Sequence, residues 1–115
     1  MYAEIIAAEQ CPQQNNRWVV IEMHEDVNLK NFILIYTHLP KSNSSVGYPV
    51  MIYDFPDLAV KKEDIIFISD KQGIYKSATP NGFTFHYLFN MDCYRCNFNL
   101  GTLSLVSFRT FLDKG

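Results

Sequence analysis

The residues whose types and spacing could do chemistry lie near the end of the chain, at Cys93-Tyr94-Arg95-Cys96. Two thiolates at this spacing can grip one zinc ion, because a tight knuckle between them turns both sulfurs inward. A structural zinc site needs two further ligands, and Cys11, His24, His38 and His86 are the only other Cys or His donors. Neither a second C-x-x-C nor an H-x-x-x-H accompanies the first pair. As a redox motif it ought to open a helix in a βαβ context, which this chain lacks. Two small, partly buried thiols in an irregular loop are the simpler reading, with a zinc-stabilised domain on Cys93 and Cys96 as the alternative.

The remaining chemistry-bearing groups are more scattered. His86 falls inside Phe85-His86-Tyr87, and alternation puts it on the face opposite those rings, with Thr84 and Leu88. It reads as a strand histidine on the more polar face. His24 and His38 stand at strand ends with no assignable partner. Glu25-Asp26, Asp54 with Asp57, Glu63-Asp64 and Asp92 read as turn and solvation groups, since the D-x-D-x-D-G spacing of a calcium loop is missing. There is no G-x-S-x-G, P-loop or G-x-G-x-x-G, and no serine has an evident histidine partner. No catalytic residue and no cofactor are expected.

The elements that must position these groups are short aromatic and β-branched runs: Trp18 to Met23, Phe32 to Tyr36, Val50 to Tyr53, Ile65 to Ile68, Phe83 to Phe89 and Leu103 to Phe108. Each has the length and composition of a strand, and turn formers separate nearly all of them. Tyr2 to Ala8 predicts a first, short edge strand, and Thr102 to Phe111 a final one. Trp18, Val20 and Glu22 share one face of their strand, with Val19, Ile21 and Met23 on the other. Asn28-Leu29-Lys30-Asn31 predicts a corner with Leu29 plugging the core, and Trp18 and Phe32 are expected as core anchors between two sheets. A single helical turn is expected around Pro56 to Ala59. Gly73 is expected to supply a positive φ to the turn Asp70 to Gly73, and Lys76 to Gly82 reads as a polar loop. Lys41 to Gly47 reads as a flexible surface loop.

Bulk properties bound the class. At 115 residues with 48% hydrophobic and 19% charged residues, the chain is one folded domain, 1–115, able to bury a core without staples. Net charge is −2 and the densest basic point, Lys61-Lys62, is followed at once by Glu63-Asp64. Nucleic acid and an anionic membrane surface are therefore not expected partners. No run approaches the roughly 20 apolar residues that span a bilayer. The first residues lack the basic and apolar regions of a signal peptide, and three cysteines are an odd count for a secreted framework, so a cytoplasmic setting is expected.

The order of the pieces resembles the lamin tail domain, an immunoglobulin-like β-sandwich. That family typically shows an E-W-V-x-I-x-N-like strand and an N/D-L-x-G-W/F-x-L corner, matched here by Arg17-Trp18-Val19-Val20-Ile21-Glu22 and by Val27 through Leu34. Its second half carries a proline-containing segment, a G-D/E-x-hydrophobic strand, a turn with Gly and a W-N-x-x-G-D-x-x-x-L finish. The counterparts are Phe55-Pro56, Glu63-Asp64-Ile65-Ile66-Phe67-Ile68, Gly73, and Cys96-Asn97 through Leu103. Asn31 stands at the corner glycine and Cys96 at the late Trp. The resemblance implies an all-β, immunoglobulin-like sandwich without activity of its own, acting as an interaction or accessory module.

Aromatic residues make up 15% of the chain, and exposed tyrosines favour contact surfaces. Among Tyr48, Tyr53, Tyr75, Tyr87 and Tyr94, the binding candidates are Tyr48, beside the Lys41 to Gly47 loop, and Tyr94 with Arg95, in the irregular Asn90 to Asn99 segment. The expected partner is another protein, or a second copy of the chain joined through edge strands. A carbohydrate-binding sandwich using coplanar exposed rings is a further alternative.

Overall fold

Alternating residues in the apolar runs bury one side of each strand, and two sheets result from covering those sides with each other. The computed structural model describes residues 2–11, 16–38, 49–93, 96–99 and 101–107. The strands are β1 (Ala3–Cys11), β2 (Asn16–Met23), β3 (Val27–Asn28), β4 (Phe32–His38), β5 (Pro49–Asp54), β6 (Ala59–Val60), β7 (Ile65–Ser69), β8 (Lys76–Ala78), β9 (Phe85–Leu88) and β10 (Gly101–Ser107). A five-stranded sheet runs β1-β2-β7-β9-β8, a three-stranded sheet runs β10-β4-β5, and β3 pairs with β6. All pairs are antiparallel except β7–β9, which is parallel. The fold is all-β, and among the described residues no helix is long and apolar enough to cross a membrane.

One core fills the space between the sheets. Val19, Ile21 and Met23 of β2 and Ile66 and Ile68 of β7 meet Leu34 and Tyr36 of β4, all at most 1% exposed. Leu29 plugs the corner as expected, at 1% exposed. Asn28 shapes that corner: its Oδ1 accepts from the amides of Lys30 (2.9 Å) and Leu58 (3.1 Å), and its Nδ2 donates to Asp57 (2.7 Å). A 3-10 turn spans Leu29–Asn31.

Several expectations need correction. Phe32 is a core residue at 3% exposed, but Trp18 is not. It lies on the outer face of β2, opposite Glu9 and Ser69, and is half-buried there. The edge strand β1 is nine residues long rather than short, with a register shift between Ile5 and Ala7. No helical turn forms at Pro56 to Ala59, because Ala59 is drawn into pairing with Asn28. Part of the supposed loop, Lys76 to Ala78, is β8, recruited by main-chain pairing to β9 although all three side chains are exposed. Gly73 has no positive φ; a Cβ there would meet the Phe89 ring at 2.7 Å, so close approach is what requires glycine. Among the described residues, the left-handed positions are instead Glu63 (φ 77), Asn90 (φ 67) and Gly82 (φ 92). The Lys41 to Gly47 loop and the chain beyond Ser107 lie outside the described residues.

Candidate functional site

Asp64 enters the protein from a turn that ends where β7 begins. Glu63 takes the left-handed conformation there, its amide donates to Met23 O (2.8 Å), and the Asp64 amide donates to Lys61 O (3.0 Å). The carboxylate is thereby aimed inward, at 6% residue exposure. Its Oδ2 accepts from the Lys61 amide (3.0 Å) and from His86 Nε2 (2.9 Å), and Oδ1 accepts from the Thr84 amide (3.2 Å). Burial pushes the Asp64 carboxyl up, but the bonds from Lys61, His86 and Thr84 outweigh it, and its pKa lies below the ordinary value.

An ionised Asp64 can only accept, so Nε2 carries the imidazole proton and Nδ1 of the neutral ring is an acceptor. The Tyr75 hydroxyl donates to that nitrogen at 2.8 Å, with the two rings stacked 21° apart. The result is a hydroxyl–imidazole–carboxylate relay. Its inner members are buried (His86 at 5%), and Tyr75 is 42% exposed. It opens into a cleft of about 510 Å³ between the edges of the two sheets, bounded by Ile52, Tyr53, Tyr75, Leu88 and Phe89. The expectation that His86 sits on a polar face and Asp64 in solvent is therefore overturned, while Glu63 is exposed in its turn as expected. Leu88 was the cue: it alternates in phase with His86 and is 3% exposed.

A second polar cluster clamps the cysteine segment. Arg17 Nε donates to Cys96 O at 3.0 Å, and Nη1 pairs with Asp70 Oδ2 at 3.5 Å. The Asp70 amide donates to Arg17 O (3.1 Å) and the Arg17 amide to Asp70 Oδ1 (3.1 Å), and Tyr36 bonds both the carbonyl and amide of Asn97. Cys93 and Cys96, each 2% exposed, are joined as a disulfide. Among the described residues, no group of three or more His, Cys, Asp or Glu side chains could hold a metal ion. Zinc on this pair would require that bond to be reduced and the other ligands to come from elsewhere. Of the remaining histidines, His24 lies beside Glu22 (3.3 Å) and Glu4 (3.8 Å), and His38 beside the Tyr36 hydroxyl (3.4 Å).

The third feature is the outer face of the five-stranded sheet. Register places Val20, Phe67 and Tyr87 in one row and Glu22, Ile65 and Phe85 in the next. Phe67 and Tyr87 stack at 5.1 Å with planes 10° apart, and Phe85 lies 6.0 Å from Phe67. Glu4, Glu9 and Glu22 border this apolar surface on the β1 side and Lys76 on the β8 side. The binding candidates Tyr48, Tyr94 and Arg95 lie outside the described residues, whereas Cys93 and Cys96 sit in the core. The chain has no significant match to any protein-family model, curated protein or solved structure.

Proposed function

We propose that the protein is a lamin-tail-like, immunoglobulin-like interaction module that binds a protein partner through the outer face of its five-stranded sheet. The observation that carries this is the Phe67–Tyr87 stack, an apolar aromatic surface with Tyr87 36% exposed and a charged rim around it. The three glutamates on the β1 side call for basic residues on the facing part of the partner. Sugar-binding sandwiches use coplanar rings with free faces, and these two rings turn their faces to each other, which favours a protein over a carbohydrate. In the lamin-tail pattern glycine occupies the position of Glu63, and Glu63 adopts a φ of 77, the region that favours glycine. This, with Leu29 at the corner, is what supports the family reading.

The test is quantitative capture from extract of the source cells with wild type and Tyr87→Glu, beside sedimentation of each alone. A protein retained by the wild type and lost by the variant is expected, or a dimer that the variant dissociates. Identical capture and identical sedimentation would sink the assignment.

A further inference from the structure

We propose that Tyr75 is a covalent acceptor site for an activated acyl group, an activity beyond the interaction role above. Three observations combine. The phenol lies 2.8 Å from an imidazole nitrogen whose ring is polarised by a buried carboxylate 2.9 Å away. The relay is held in one order of donors, because Asp64 accepts from two amides as well as from His86. Tyr75 is the exposed member of the relay, at 42%, and it lines a cleft whose Ile52, Leu88 and Phe89 side suits a short apolar acyl chain.

The chemistry follows from that order. Tyr75 Oη attacks the carbonyl carbon of an activated ester while its proton passes to His86 Nδ1. Asp64 stabilises the imidazolium that forms. The tetrahedral intermediate collapses by breaking the bond to the leaving oxygen, which takes the proton from Nδ1. Tyr75 ends as an ester, the leaving group departs as its neutral alcohol or phenol, and no oxidant or reductant is involved. His86 and Asp64 are positioning and proton-handling residues and take no part in the new bond.

The test uses p-nitrophenyl acetate on the whole protein, with peptide mass mapping of acetylated residues against time. Tyr87, similarly exposed and stacked on Phe67, is the internal reference. Acetylation of Tyr75 is expected to be about a hundredfold faster than of Tyr87, the usual scale of general-base assistance. Its rate should level off with rising pH, whereas an unassisted phenol climbs about tenfold per pH unit toward its own ionisation near 10. His86→Gln should abolish the advantage and Tyr75→Phe the label. Equal rates at Tyr75 and Tyr87, or a Tyr75 rate that climbs with pH without levelling, would overturn the proposal. The pH profile is read on wild type, so it decides even if His86→Gln does not fold.

Discussion

His86 Nε2 donates to Asp64 Oδ2 across 2.9 Å inside the protein, joining the turn before β7 to the middle of β9. Removing the carboxylate leaves the buried His86 Nε2–H and the Lys61 and Thr84 amides without their acceptor, so Asp64→Ala is expected to cost about 1–3 kcal/mol at neutral pH. Urea unfolding of the variant beside wild type measures this.

The same pair sets an acid limb. The Asp64 carboxyl titrates below its ordinary 3.8 when folded, so the native state favours the charged form. That contribution is complete above the unfolded value and is lost as pH falls through the folded one. Stability should therefore decline below about pH 4, and Asp64→Asn should flatten that decline. Urea midpoints between pH 2 and pH 7 check it.

Two glycines are expected to resist substitution for steric reasons. In Gly73→Ala the new Cβ meets the Phe89 ring at 2.7 Å, and in Gly101→Ala it meets the Thr37 carbonyl oxygen at 2.6 Å as well as the Tyr36 ring. Overpacking of this kind costs about 1–3 kcal/mol. Gly101→Ala should lie at the upper end, because backbone gives way less readily than an aromatic side chain. Thermal unfolding orders the two.

Glu63 is a side chain held where glycine is at ease. Relief of the left-handed conformation is worth about 1–2 kcal/mol, and glycine's greater freedom in the unfolded chain takes back part of it. Glu63→Gly is expected to stabilise by about 0.5–1 kcal/mol, and denaturant midpoints read it directly.

Reductant and chelator should act differently on the cysteine segment. A disulfide across a separation of 3 residues closes a small loop, worth about 2 kcal/mol by chain entropy. Added dithiothreitol should lower stability by that amount and a metal chelator should leave it unchanged. The opposite pattern would revive the zinc reading of Cys93 and Cys96.

Local pattern carried the strands and their faces: Val19, Ile21 and Met23 alternate inward, and Leu29 plugs the corner, because period-two hydrophobicity is written in neighbouring residues. What local pattern could not carry was set by distant chain. Trp18 has the composition of a core anchor, yet β2 needed Val19 and Ile21 inside, and one strand cannot bury both faces against the same sheet. Lys76 to Ala78 has no apolar pattern and is a strand only because β9 offers main-chain partners. His86 and Asp64 are 22 residues apart, and their meeting depends on the parallel register of β7 and β9, which no short window reveals. Tyr48, Tyr94 and Arg95 lie outside the described residues.

The parallel seating of β9 on β7 has a kinetic meaning. Parallel neighbours cannot be closed by a tight turn, so the chain from Asp70 to Thr84 must cross first, while β1–β2 and β8–β9 are adjacent hairpins that need no such wait. The contact between Asp64 and His86 then forms only when that crossover docks. In refolding experiments, the appearance of the Asp64–His86 contact is expected to trail hairpin formation and to mark the moment the sheet is complete.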